Sequence, residues 1–171
     1  MRAQRSEIAL CVIDVQEKLF PKIEGHKGIL AEMERVVRAF QLLGLPVIGT
    51  EQYPKGLGKM VEPLQSLVGT FHEKTHFSAA GALPQERRQW ALVGIEAHVC
   101  VLQTALDLVE RGCEVVVPRG AIGSRRDVDC RTAADEMRHA GVRITSVESL
   151  LFELLGDAKD PAFKDISALI K

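Results

Sequence analysis

The chain has 171 residues, 46% of them hydrophobic and 26% charged, with a formal net charge of −1. Length and balance describe one water-soluble domain, residues 1–171, large enough to enclose a sizeable core. So small a net charge supplies no broad field for nucleic acid or a membrane surface, and no apolar stretch reaches the roughly 20 residues that span a bilayer.

The first residues are polar and lead straight into Ile8–Ile13, an apolar, partly β-branched run that predicts a strand buried on both faces and ending on Asp14. Helical spacing of Leu30, Met33, Val37, Phe40 and Leu43 predicts a helix over 29–43, with Gly44 as its C-cap. Residues 45–50 form a second predicted strand. The turn-rich stretch 51–58, containing Tyr53, Pro54, Gly56 and Gly58, predicts a surface loop or lid.

Residues 68–74 read as a short third strand ending on Lys74, and 89–95 as a fourth. A helix over 99–111 stopped by Gly112, a fifth strand over 114–118, a helix over 127–139 stopped by Gly141 and a sixth strand over 142–145 follow. Two apolar helical patterns, 150–155 and 163–170, complete the chain. Strands alternating with helices across short connections predict a three-layer α/β fold with a six-stranded, mainly parallel sheet. Ligands in such sheets bind beyond the carboxyl ends of the strands, where Asp14, Lys74 and Cys100 all fall.

Cys11, Cys100, Cys113 and Cys130 are far apart, with no C-x-x-C pair or zinc spacing. Reduced thiols in a cytoplasmic protein are the expectation, supported by a leading apolar run too short for a secretory signal. Cys100 stands where an apolar strand gives way to an amphipathic helix, a position that favours a thiolate through the helix dipole and free N–H groups. Position alone leaves two roles open, nucleophile or inert buried thiol. A carboxylate and an ammonium from neighbouring strand ends would supply what covalent catalysis by that sulfur requires: a proton acceptor and a positive charge.

Three separated segments carry a resemblance. They are Leu10-Cys-Val-Ile-Asp14-Val-Gln16, Glu73-Lys74-Thr-His-Phe-Ser78 and Gly94-Ile-Glu-Ala-His-Val-Cys100-Val, supported by Gln103–Gly112 and Ile122–Arg125. In that order the chain resembles the isochorismatase-like cysteine hydrolases, which include nicotinamidases, N-carbamoylsarcosine amidase-like enzymes and isochorismatases. The resemblance covers nearly the whole chain and looks most like the isochorismatase-domain-containing branch. It implies a three-layer α/β/α, Rossmann-like fold and a triad of Asp14 as general base, Lys74 as positioning and charge-stabilising group, and Cys100 as nucleophile. The implied reaction is hydrolysis of a small molecule, an amide C–N bond above all, through a thioester on Cys100. The oxyanion would be held by backbone N–H groups of Cys100 and of a residue shortly before it, at a non-proline cis bond between Ile95 and Glu96.

Where nicotinamidases of the family carry an aspartate and histidines that bind a metal, this chain has Glu51-Gln-Tyr-Pro-Lys. No metal and no cofactor are therefore expected. His72, His76 and His98 have no paired ligand spacing on one element and read as surface or loop histidines. Phe20, Tyr53 and Phe77 are the candidate pocket residues, and Arg125 and Arg126 follow the fifth strand, where a substrate carboxylate could be met. A nucleotide-binding reading fails on the first turn, Asp14–Phe20, which has no glycine and two acids. Retention of all three triad residue types counts against the remaining alternative, a catalytically silent scaffold. Self-association into a homo-oligomer is expected from the family and from the dense run Leu150, Leu151, Phe152, Leu154 and Leu155, which could equally pack on its own sheet.

Overall fold

The computed structural model describes residues 2–171. Strand β1 (Ile8–Ile13) is buried along its whole length at the centre of the sheet. It pairs in parallel with β2 (Val47–Gln52) on one side and with the fully buried β4 (Gln89–Ile95) on the other. Beyond β2 lies the edge strand β3 (Phe71–Lys74); beyond β4 lie β5 (Glu114–Pro118) and the second edge strand β7 (Arg143–Thr145). The order β3-β2-β1-β4-β5-β7 reverses direction between β1 and β4, so the crevice at their carboxyl ends is the topological switch point of the sheet.

The sheet has seven strands rather than the six expected. The additional one, β6 (Ile122–Gly123), pairs with Gly94 and Ile95 at the top of β4. It finds room there because β5 pairs with β4 only as far as Ala91 and ends at Pro118, which has no N–H to continue a ladder. Helix α1 (His26–Leu42) begins one turn earlier than its apolar spacing shows, and its chain turns through Gly44 at φ 66°. The second strand starts at Val47 and extends through Glu51 and Gln52, residues the sequence assigned to a loop. A helical turn, α2 (Pro54–Leu57), follows, and helix α3 (Leu64–Val68) displaces the start of β3 to Phe71.

Apolar side chains alternate along β1. Leu10 and Val12 join Phe40, Leu150, Leu154 and Ile166 in the core under α1, α6 (Val147–Leu155) and α7 (Phe163–Ile170). Cys11 and Ile13 join Leu92, Val101, Ala105 and Met137 under α4 (Leu102–Glu110) and α5 (Asp127–His139) on the opposite face. This is the three-layer α/β/α arrangement. Leu150, Leu151, Leu154 and Leu155 are all buried within the chain, so the dense apolar run serves its own sheet; Phe152 is the member that stays exposed. Helix α5 carries Asp127 and Asp129 in its first turn and Arg138 and His139 in its last, each complementing the helix dipole. Among the described residues no helix is long and apolar enough to cross a membrane, and the four cysteines are free thiols.

Candidate active site

The site is assembled from strand ends that a glycine lets approach. Gly94, paired with Ile13, has φ 130°, and a Cβ there would sit 2.2 Å from the Ile13 carbonyl oxygen. Only glycine permits so close an approach. Asp14 follows Ile13 with a left-handed φ of 52° and no solvent exposure. Its backbone N–H donates to the Thr50 carbonyl, and its Oδ1 accepts from Thr50 Oγ1 at 2.8 Å.

The other carboxylate oxygen, Oδ2, accepts from Lys74 Nζ at 2.6 Å. Lys74, the last residue of β3, also donates to Gln52 Oε1 at 2.8 Å and to the carbonyls of Phe77 at 2.9 Å and His76 at 3.1 Å. An ammonium has three N–H donors, so four acceptors saturate it and fix it against the carboxylate. Buried ion pairs need this kind of full satisfaction to offset the loss of hydration.

Cys100 is buried, with 6% of its surface exposed. It lies in a π-helical turn (Ala97–Val101) inserted between β4 and α4, so the sulfur precedes the first residue of α4 instead of belonging to it. Thr104 secures the turn: its hydroxyl donates to the Cys100 carbonyl at 2.6 Å and accepts from the Ala79 N–H at 2.8 Å. Burial first, then the Asp14 charge, and in smaller measure a hydrogen bond to that carboxylate push the Cys100 thiol up to about 12; Lys74 and the Glu96 backbone N–H oppose the shift. This direction is opposite to the thiolate anticipated from position at a helix start. Desolvation and a facing carboxylate outweigh the ammonium and the local dipole. The resting group is a thiol beside a carboxylate.

The peptide bond between Ile95 and Glu96 is cis. Glu96 is nearly buried, and its Oε1 accepts from Arg125 Nε at 2.8 Å. Arg126 instead pairs with Asp129, and His98 Nδ1 meets Ser124 Oγ at 2.9 Å. Among the described residues no three His, Cys, Asp or Glu side chains gather into a group that could hold a metal ion. Glu51 Oε1 accepts from the Met60 N–H at 2.7 Å.

Of the candidate pocket aromatics, Tyr53 and Phe77 are exposed. Tyr53 lines an open hollow of about 500 Å³ with Lys74, Thr75 and His76, and Phe77 lines a neighbouring one with Ser78 and Gln103. Phe20 is placed elsewhere. It is buried in the core under α1, its ring edge-on to His26 at 5.4 Å, because the chain leaving Asp14 turns toward the α1 face. Sequence reasoning did not assign roles to Thr50, Gln52, Thr104 and Gln16. Gln16 is fully buried; its Nε2 donates to the Gln52 and Gly58 carbonyls, and its Oε1 accepts the Gln52 N–H at 2.7 Å. A buried-strand pattern that ends on Thr50, and a glutamine two residues after Asp14 at the end of the buried first strand, were the available signals.

Comparison with known proteins places these features in a family. The Isochorismatase domain profile matches residues 8–149. Isochorismatase domain-containing protein 1 of Salmo salar is 40% identical over 168 residues, covering 92% of this chain; the chain spans 59% of that protein's length. A structure described as MAR1 ribonuclease from Caenorhabditis elegans superposes with a TM-score of 0.94 at 39% identity, covering 99% of this chain and 92% of that one. The YcaC product of Escherichia coli, described as an octameric hydrolase of unknown specificity, shares the fold with a TM-score of 0.90 at 19% identity, over 99% of this chain and 89% of its own. With the profile spanning most of the sheet and both strand ends that bear Asp14 and Cys100, the chain belongs to the isochorismatase-domain family.

Proposed function

We propose that the protein is a cysteine hydrolase that cleaves a small molecule at an amide C–N bond. The observation that carries this reading is the fully buried Asp14 carboxylate, paired with Lys74 Nζ at 2.6 Å and close enough to Cys100 for its charge to push the thiol pKa up. Asp14 takes the thiol proton as Sγ attacks the carbonyl carbon, so a thiolate forms only as the new C–S bond does. Backbone N–H groups at Cys100 and around the Ile95–Glu96 bond are the proposed donors to the oxyanion. Collapse expels the amine, which leaves with the proton held by Asp14 and yields a thioester. Asp14 then deprotonates the attacking water, the C–S bond breaks, and the carboxylic acid departs with the thiol restored. Lys74 keeps the carboxylate aligned and balances the negative charge that moves between oxygen and sulfur.

The ribonuclease description of the Caenorhabditis elegans protein supplies a competing substrate class. A net charge of −1 and an ammonium wholly occupied by four acceptors leave little to bind a polyanion. The test is a panel of primary amides, carbamoyl compounds, vinyl ethers and single-stranded RNA, assayed with the wild type and Cys100→Ala. Amide turnover abolished in the variant is expected. Turnover that survives in Cys100→Ala, or hydrolysis confined to RNA, would overturn the proposal.

A further inference from the structure

At the amino end of β4, away from Asp14 and Cys100, lies a cavity of about 340 Å³. Ligand pockets begin at about this size and combine an apolar lining with a few placed polar groups. Leu83, Pro84 and Leu108 form apolar walls, and Trp90, Gln85, Arg111 and Cys113 are the lining residues that bear polar atoms. Trp90 is fully buried, and its Nε1–H has no hydrogen-bond acceptor among the described residues. Leaving such a donor unsatisfied is costly. Arg111 gives one guanidinium N–H to the Ala80 carbonyl at 2.7 Å; its other N–H groups have no acceptor among the described residues. No carboxylate lines the cavity. Its one charged group is thus the Arg111 cation, set against aliphatic walls with the Gln85 amide beside it.

We propose that this cavity is a second binding site, distinct from the proposed reaction centre, for a small carboxylic acid with an apolar tail. The tail fills the space among Leu83, Pro84 and Leu108. The carboxylate pairs with the free edge of Arg111, beside the Trp90 that shares the lining. Cys113, half-buried on the same lining, becomes covered when the site is filled.

The chain's single tryptophan makes its emission a local reporter of this cavity. Titration of the whole protein with hexanoate is expected to give a saturable change in that emission, weakened about tenfold or more in Arg111→Met through loss of a charge-assisted contact. Site-resolved alkylation of Cys113 in the wild type, followed by mass spectrometry, is expected to slow as hexanoate is added. Absence of a saturable emission change, or a response unaltered in Arg111→Met, would overturn the proposal. Should that variant fail to fold, unprotected alkylation of Cys113 in the wild type overturns it alone. Neither readout depends on Cys100 chemistry.

Discussion

At the scale of single residues, the protonation of Cys100 is governed by two neighbours that pull in opposite directions. Asp14 raises its pKa and Lys74 lowers it. Asp14→Asn should therefore lower the pKa and speed Cys100 alkylation near pH 8, by about tenfold for each tenfold gain in acidity, while abolishing turnover for want of a proton acceptor. Lys74→Met should slow alkylation and turnover together. Alkylation rates measured by mass spectrometry beside an activity assay check both, and a slower reaction in Asp14→Asn would refute the assignment of the base. The raised pKa also has a consequence for stability. Because the folded thiol holds its proton to about 12 against 9.0 unperturbed, the unfolded chain releases it first. The stabilisation is complete below pH 9 and is lost as pH climbs from there toward 12. Cys100→Ala should flatten the alkaline fall in stability over that interval, as measured by urea unfolding. None of this was legible near Cys100 itself. The decisive carboxylate comes from the far end of the chain, so strand-to-helix position suggested a thiolate where burial and Asp14 enforce a thiol.

At the scale of elements, the strongest patterns carry their bounds in the sequence. β1, β4, β5, α5 and α7 are long or uninterrupted enough for their periodicity to settle them. The elements that escaped are those set by tertiary context: the two-residue β6, which exists because β5 leaves β4 early, and the π-turn, held by Thr104 from within the following helix. Phe20 shows the same limit, since nearness to a strand end does not say which face the chain will take. Two substitutions probe these devices. Thr104→Val strips a partner from both the Cys100 carbonyl and the Ala79 N–H, and should cost about 1–3 kcal/mol in chemical denaturation while lowering turnover by loosening the turn. Gly94→Ala forces a Cβ to 2.2 Å from the Ile13 oxygen at a φ that side chains rarely adopt. It should exceed about 3 kcal/mol in destabilisation. A thermal midpoint unchanged from the wild type would show that β1 and β4 can separate at little cost.

At the scale of the whole molecule, we propose self-association, the expectation drawn from the family resemblance in the sequence. Light scattering should then give a mass above the 18.8 kDa of one chain. The apolar run that points to such contacts in the sequence is consumed internally, which leaves the exposed Tyr53, Phe77 and Phe152 as the larger uncovered apolar side chains near the site and the tail. The reversal of strand order between β1 and β4 has a consequence of its own. Asp14 and Lys74 reside in the amino-terminal half of the chain, with β1, β2 and β3, whereas Cys100 comes with β4 and the carboxy-terminal half. Under the proposed mechanism, neither half alone contains both the proton acceptor Asp14 and the attacking sulfur of Cys100. A chain severed in the connection between Pro84 and Arg88 would carry no activity until its fragments rejoined along that boundary, so recovered turnover would be a direct gauge of complementation.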